Sequence, residues 1–169
     1  MAEWAFWGCM PFLATAFITD IKSMRIPNWI TVSGLLAGLL AQALMNGWDG
    51  LLKAGVGAAA GFTVLLFMHL IGAVGAGDVK LFAGIGAWTG MLFTLQVVIY
   101  SVLFGALIGW LIVLKRRETG RHTRKIFSTI SGFVLLKSSF LVRNKDSELL
   151  RFPFMLAVVP GTICAYLYF

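Results

Sequence analysis

Long stretches without a charged residue dominate this chain and predict its elements. A transmembrane helix needs about 20 predominantly apolar residues, with a range of roughly 17–25. Four stretches have this length, if the first is allowed a residue or two of its flanks. The stretch 81–114 is about twice as long and has Trp88-Thr89-Gly90 inside it as a turn. The pattern therefore predicts an all-α, polytopic membrane protein with six transmembrane helices. The charge-free stretches are 4–19, 26–48, 54–77, 81–114 and 152–169.

Helix breakers and polar residues predict where these helices end. We expect the first helix to end near Thr19. Pro27 then separates it from the second helix, because the residue before a proline is biased away from helical geometry. A short external turn at 46–50 would separate the second helix from the third. In the third helix, Gly57 and Gly61 form a small-xxx-small pair that permits close helix contact.

Composition supports the membrane class, and the placement of charge predicts an orientation. The chain is 59% hydrophobic and 12% charged, with a mean hydropathy of +0.89. Its net charge of +7 would suit nucleic-acid binding, but the positions of the charges argue against a nucleic-acid partner. With the N-terminus outside, all of the fourteen Lys and Arg residues except Lys53 lie on one side. Because cytoplasmic loops are enriched in these residues, we expect that side to be cytoplasmic.

The segment 115–151 is the long basic part of the chain. It fits a cytoplasmic loop that anchors the topology and contacts anionic lipid. Within it, 126–142 is apolar but interrupted by Lys137 and four serines. As a seventh span it would place 143–151 outside, so we favour an amphipathic helix on the cytoplasmic surface over a spanning helix. No second domain is evident, and 1–169 is expected to form a single membrane-embedded domain.

Few residues are candidates for chemistry, and the carboxylates are the strongest. Cys9 and Cys164 lie in apolar stretches without metal-ligand spacing, so the sequence predicts no metal site and no cofactor. If the six helices cross the membrane in alternate directions from an outside N-terminus, Asp20 and Asp78 both lie at the cytoplasmic ends of their helices, at the same depth. Charged residues so close to hydrocarbon are costly and mark functional sites. These two aspartates are therefore the candidate site.

Each aspartate also has a purely structural interpretation. Asp78 fits the N-cap of a helix, a favoured position for Asp. Asp20 ends the first helix, where the helix dipole disfavours an anion, so capping does not explain it. It would either extend to water or pair with Lys22 or Arg25. His69, near the cytoplasmic end of the third helix, fits a packing or interfacial role better than a proton relay.

A pair of aspartates at one depth indicates a specific chemistry. Two carboxylates that share a site cannot both ionise easily, so one keeps a proton near neutrality. The charged one can take a proton from water while the protonated one polarises a carbonyl, which hydrolyses a peptide without a covalent intermediate. Gly77 leaves no side chain next to Asp78, which would let an extended substrate backbone approach closely.

Two motifs in the chain resemble one family. Gly75-Ala76-Gly77-Asp78 matches the G-x-G-D signature of intramembrane-type aspartic proteases. Its continuation, Val79-Lys80-Leu81-Phe82-Ala83, looks like the type IV prepilin peptidase family. Asp20 followed by Ile26-Pro27-Asn28 resembles the first aspartate motif of that family. The six-span plan agrees, so the resemblance covers nearly the whole chain.

The resemblance implies an activity and a set of site residues. It implies an aspartic endopeptidase that removes the short basic leader of type IV (Flp-type) prepilins at the cytoplasmic face of a prokaryotic cell membrane. Asp20 and Asp78 would be the catalytic dyad. Gly75 and Gly77 would shape the approach of the substrate, which is itself an apolar helix. Lys80 would tune the electrostatics of Asp78, or equally well anchor the helix at the interface.

The resemblance also suggests a branch of the family. Larger members carry an additional cytoplasmic N-terminal region with paired cysteines and N-methyltransferase activity. This sequence begins at its first helix, so it looks like the short, peptidase-only branch of tight-adherence pili, the TadV and CpaA proteins, and methyltransferase activity is not expected. The alternative function is a small proton-coupled transporter or a non-enzymatic membrane scaffold. A carrier would need an acid deep within a span, whereas the mid-span positions here are apolar or small.

Overall fold

A computed structural model describes residues 3–24, 26–115 and 154–168, and their regular structure is entirely helical. The all-α prediction is therefore confirmed for this part of the chain. The predicted basic loop beyond Lys115 and the predicted surface helix at 126–142 lie outside the described residues. The helices are α1 (Glu3–Ser23), α2 (Asn28–Leu70), α3 (Ala76–Thr89), α4 (Met91–Lys115) and α5 (Met155–Tyr168).

Three of these helices are long and apolar enough to cross a membrane: α1, α2 and the Met91–Ile112 part of α4. The helices α3 and α5 have 14 residues each. At about 1.5 Å per residue such a helix rises only about 21 Å, less than the hydrocarbon thickness of a bilayer. The lengths fit a membrane protein, and the count of six spans stays a prediction.

The chain divides into two compact units, one comprising 1–106 with 152–169 and the other 107–151. Of the second unit, the structure describes the end of α4. All of the aspartates, glycines and the lysine proposed from the sequence for the site belong to the first unit. The packing described below is that of the first unit.

The predicted turn between the second and third helices is a one-residue interruption inside α2. Gly47 has φ 60° and ψ −143°, and the helix continues on both sides of it over 43 residues in total. A Cβ at Gly47 would have nothing within 4 Å, so the backbone conformation and not crowding requires glycine there. The prediction of a break was right in place, but the five-residue turn at 46–50 was wrong in extent.

The predicted turn within 81–114 is confirmed at Gly90. This residue has φ 84° and separates the end of α3 from the start of α4. Its N–H donates to the Gly86 carbonyl at 2.9 Å, which closes the last turn of α3. Its own carbonyl accepts the Thr94 hydroxyl at 2.7 Å. The long apolar stretch is therefore two helices, as its length predicted.

Glycines bring α2 and α3 into backbone contact. A Cβ on Gly57 would overlap the carbonyl oxygen of Gly86, and a Cβ on Gly86 would overlap that of Gly57. One turn along α2, a Cβ on Gly61 would overlap the carbonyl of Phe82. The small-xxx-small pair was predicted to permit close helix contact, and this prediction is confirmed.

Aromatic rings pack α1 against the rest of the unit. The Phe12 ring occupies the space that a side chain on Gly34 of α2 or Gly84 of α3 would fill. The Phe6 ring stacks on Tyr166 of α5 with 4.0 Å between ring centroids. The helix α1 is therefore held against α2, α3 and α5, which places its C-terminal residues beside the starts of α3 and α5.

The first helix is longer than the sequence suggested. It continues to Ser23, and the backbone N–H of Met24 still donates to the Asp20 carbonyl at 2.8 Å. The predicted end near Thr19 is wrong because its hydroxyl donates to the Ala16 carbonyl of the same helix at 2.9 Å, so a polar residue continues the helix there. The helix ends at Ser23, and the next residue, Met24, has a φ of 49°. Asp20 thus lies within α1 and not in the following loop.

Candidate active site

Asp78 is held at the start of α3 by a reciprocal pair of hydrogen bonds. Gly75 is the N-cap of this helix, and its N–H donates to Asp78 Oδ2 at 3.1 Å. The Asp78 N–H in turn donates to the Gly75 carbonyl at 3.1 Å. Asp78 is therefore the third residue of the helix, and the N-cap interpretation was wrong by three positions. Its side chain caps the helix, and the residue is buried, with only 8% of its surface exposed.

Asp20 is held by a different helix. Its Oδ2 accepts the N–H of Met155, the first residue of α5, at 3.1 Å, and the residue is 6% exposed. The conclusion that capping does not explain Asp20 is therefore wrong, because it considered only the dipole of its own helix. A helix N-terminus leaves N–H donors unpaired and favours an anion. Within the described residues, Asp20 forms no ion pair with Lys22; Arg25 lies outside them.

The fold brings these two aspartates together. They are close enough that the charge on Asp20 acts on Asp78. Each uses Oδ2 to accept one backbone N–H, and no group in the described ranges donates to either Oδ1. The arrangement presents two buried carboxyl groups, each fixed on one side by the backbone and each with an oxygen that can act on water or on a carbonyl.

Lys80 bonds to a neutral partner. Its Nζ donates to Asn28 Oδ1 at 2.8 Å on the exposed surface. Asn28 is the first residue of α2 and the last of the Ile26-Pro27-Asn28 motif, so this bond joins the two motifs. Sequence analysis singled out Lys80 without finding this partner, although Asn28 stood in the quoted motif. Tuning of Asp78 by Lys80 stays a prediction.

The two glycines of the motif have neighbours within the chain. A Cβ on Gly75 would lie 3.2 Å from Asp78 Oδ2, a tight contact with the candidate carboxylate. A Cβ on Gly77 would lie 3.4 Å from the Cβ of Ile26, in ordinary contact with the first motif. Gly75 is exposed and Gly77 half-buried. Their predicted function in substrate approach is not tested by these contacts.

His69 lies beside this site, although sequence analysis favoured a packing or interfacial role for it over a proton relay. Its Nδ1 lies 2.8 Å from the carbonyl oxygen of Val74. Because a carbonyl only accepts, Nδ1 carries the proton. The imidazole also lies near Asp78. The available signal was the short distance along the chain between His69 and the G-x-G-D motif, across a turn at Gly72.

No group of three or more His, Cys, Asp and Glu residues that could hold a metal ion occurs in the described part of the chain. Among the described residues, the site comprises two aspartates, one histidine and backbone amides. The chemistry that these groups can supply is proton transfer and hydrogen bonding.

Comparison with known proteins identifies relatives of this arrangement. The type IV leader peptidase family matches residues 7–110, which include every site residue named above except Met155. The chain is 35% identical over 153 residues to the prepilin leader peptidase/N-methyltransferase of Bacillus subtilis (strain 168), covering 89% of this chain and 50% of that protein. It is 36% identical over 115 residues to the protein of the same name from Myxococcus xanthus (strain DK1622), covering 64% of this chain and 34% of that protein. No solved structure matches the chain.

The match confirms the predicted family and leaves the finer predictions open. The chain spans half or less of the length of these two relatives. Both relatives carry a peptidase and a methyltransferase in their names, so the predicted absence of the second activity is not tested. Assignment to the tight-adherence branch likewise stays a prediction.

Proposed function

This chain belongs to the type IV leader peptidase family, and we propose that it is an aspartic endopeptidase that removes the leader of type IV prepilins. One observation of the structure carries the proposal. Asp20 from α1 and Asp78 from α3 are both buried, interact electrostatically, and are each fixed by one backbone N–H. The family match favours a peptidase over the transporter or scaffold alternative.

The proposed mechanism uses the two carboxyl groups in opposite protonation states. The ionised carboxylate takes a proton from water as the water oxygen attacks the scissile carbonyl carbon, while the carboxylic acid donates a hydrogen bond to the carbonyl oxygen. When the tetrahedral intermediate collapses, the C–N bond breaks and the leaving nitrogen receives a proton from the dyad. Like charges at short range favour this sharing of one proton, because double ionisation is disfavoured. Each Oδ2 is already occupied by a backbone N–H, which leaves Oδ1 for these steps.

The proposed topology follows the charges of the sequence. The N-terminus lies outside, and the two parts of α2 on either side of Gly47 count as separate spans with α1, α3, α4 and α5 to give six. The site then faces the cytoplasm of a prokaryotic cell, together with the basic segment 115–151 and the anionic lipid it would contact. The substrate is a prepilin with a basic leader and an apolar helix, of the Flp type in our proposal.

A co-expression assay with a cognate prepilin tests the proposal. We expect the wild-type protein to shorten the prepilin, and Asp20→Asn and Asp78→Asn to leave it unprocessed. Asp49→Asn is the matched control, because Asp49 is an exposed aspartate elsewhere in the first unit. Full processing by either of the two site variants would refute the dyad. Mass spectrometry of the mature product also tests the branch, for which we propose an unmethylated new N-terminus.

A further inference from the structure

We propose that His69 is a positioning residue that holds Asp78 through one peptide unit of the chain. His69 Nδ1 lies 2.8 Å from the carbonyl oxygen of Val74. The N–H of the next residue, Gly75, donates to Asp78 Oδ2 at 3.1 Å. This carbonyl and this N–H belong to the same amide, so imidazole, amide and carboxylate form one continuous hydrogen-bonded chain. The inference rests on the proposed function of Asp78.

The chemistry of the amide determines which groups donate and which accept along this series of hydrogen bonds. The Val74 carbonyl can only accept, so His69 Nδ1 donates whether the imidazole is neutral or charged. A hydrogen bond to the oxygen of an amide polarises it and strengthens its N–H as a donor, by about 10–30% per bond in condensed-phase estimates. The Gly75 N–H therefore binds the Asp78 carboxylate more firmly when His69 is present.

The backbone around His69 is fixed independently of its side chain. The end of α2 forms a Schellman motif, in which Gly72, with φ 82°, donates its N–H to the His69 carbonyl at 2.8 Å. The Ala73 N–H donates to the Met68 carbonyl at 2.9 Å. The helix end thus fixes the backbone of His69 without help from its imidazole. What that bond fixes is the plane of the peptide between the turn and α3.

The orientation of the Val74–Gly75 peptide depends on the hydrogen bond from His69. Val74 is buried at 9% exposure, whereas Gly75 is exposed and has no side chain to orient its amide. Glycine has the widest choice of backbone conformations, so the Val74–Gly75 peptide can rotate unless its carbonyl is held. If it rotated, Asp78 would lose the only donor that the described residues provide to its carboxylate. His69 opposes this rotation.

The test compares two substitutions that differ in one donor. In His69→Asn the amide nitrogen takes the place of Nδ1, so the bond to Val74 is retained. His69→Leu removes the donor. On prepilin cleavage by the full chain in proteoliposomes, we expect kcat of His69→Leu to fall about tenfold with KM unchanged, which is the loss from one hydrogen bond plus a small misplacement. The kcat of His69→Asn should stay within about threefold of the wild type, because its amide nitrogen keeps the bond to the Val74 carbonyl.

A second measurement does not depend on activity. Hydrogen–deuterium exchange of the peptide covering 71–80 should be faster in His69→Leu than in the wild type and unchanged in His69→Asn. If His69→Leu fails to fold, His69→Ala, which also lacks a donor, replaces it in both measurements.

The outcomes separate the inference from the proposed function. Wild-type protein that cleaves no prepilin would refute the proposed function, and the exchange measurement would still decide whether His69 holds the peptide. Unchanged kcat and exchange in His69→Leu would overturn the inference. Equal losses in the Leu and Asn variants, or a change confined to KM, would also overturn it, because neither follows from a lost Nδ1 donor.

Discussion

Asp20 has a structural function and a proposed catalytic one, and a pair of substitutions distinguishes them. The residue supplies a carboxyl group to the proposed dyad and accepts the N–H of Met155 at the start of α5 at 3.1 Å. Asp20→Asn keeps an oxygen that can accept this N–H but removes the ionisable group. Asp20→Ala removes both. We therefore expect both variants to lose cleavage and only the Ala variant to lose substantial stability.

The size of the stability difference follows from the burial of the bond. Met155 is fully buried and Asp20 nearly so, so water cannot replace the lost acceptor. An unsatisfied buried donor costs about 1–3 kcal/mol, and loss of an N-terminal capping side chain costs about 1 kcal/mol. Asp20→Ala should thus lower the free energy of unfolding by about 1–3 kcal/mol. For Asp20→Asn, which exchanges a charged acceptor for a neutral one, we expect a loss of about 1 kcal/mol or less.

Reversible unfolding in mixed detergent micelles, read by helical circular dichroism, measures this difference, and prepilin cleavage is followed in parallel. Asp49→Ala, at an exposed position of α2, is the control for removal of a carboxylate and should change neither quantity. Equal stability of the Asn and Ala variants would refute the capping function of Asp20. Cleavage by Asp20→Asn would refute the proposed catalytic function of Asp20 and would leave its capping function unaffected.

Three further substitutions test the packing around the site. Gly57→Ala should lower the free energy of unfolding by about 1–3 kcal/mol, because its Cβ would overlap the Gly86 carbonyl. Gly55→Ala is the control and should not lower it, because a Cβ there would lie in open space. Equal effects of the two substitutions would contradict the contact. Gly75→Ala should reduce prepilin cleavage, because its Cβ would press on Asp78 Oδ2, and should change the free energy of unfolding by no more than about 1 kcal/mol. An unchanged kcat would show that the carboxylate adapts. A double-mutant cycle of Lys80→Ala with Asn28→Ala should give a coupling energy of about 0.5–1 kcal/mol, as expected of an exposed hydrogen bond. Zero coupling would show that the bond contributes nothing to stability.

The sequence predicted those features of the fold that depend on local composition. The break at Gly90 was predictable because one uncharged stretch was too long for a single span, and glycine marked its centre. The contact between α2 and α3 was predictable from the spacing of Gly57 and Gly61. The end of α1 was not, because Thr19 looks like a helix-ending residue but bonds back to the helix through its hydroxyl. A polar residue in an apolar helix can satisfy itself locally, so polarity alone does not end it.

The candidate site shows a different limit. Both aspartates could be singled out from the sequence, because a carboxylate near hydrocarbon is conspicuous. Their partners could not, because the donors are the backbone N–H groups of Gly75 and Met155. Every residue except proline carries such a group, so no residue type reveals it. Met155 is also 135 positions from Asp20, a pairing that only the packing of α1 against α5 creates.

The use of backbone donors in place of cations fits the proposed chemistry. In the described part of the chain, neither aspartate forms an ion pair, and the nearest lysine of the motif, Lys80, bonds to Asn28 instead. A lysine or arginine in contact would stabilise the ionised form of one carboxylate and oppose the sharing of a proton that the dyad requires. Helix N-termini supply only partial positive charge, at α3 for Asp78 and at α5 for Asp20. Such donors lower the cost of burying a carboxylate and orient it, while each group can still be protonated. A lysine introduced beside either aspartate should therefore abolish cleavage even where the fold is preserved.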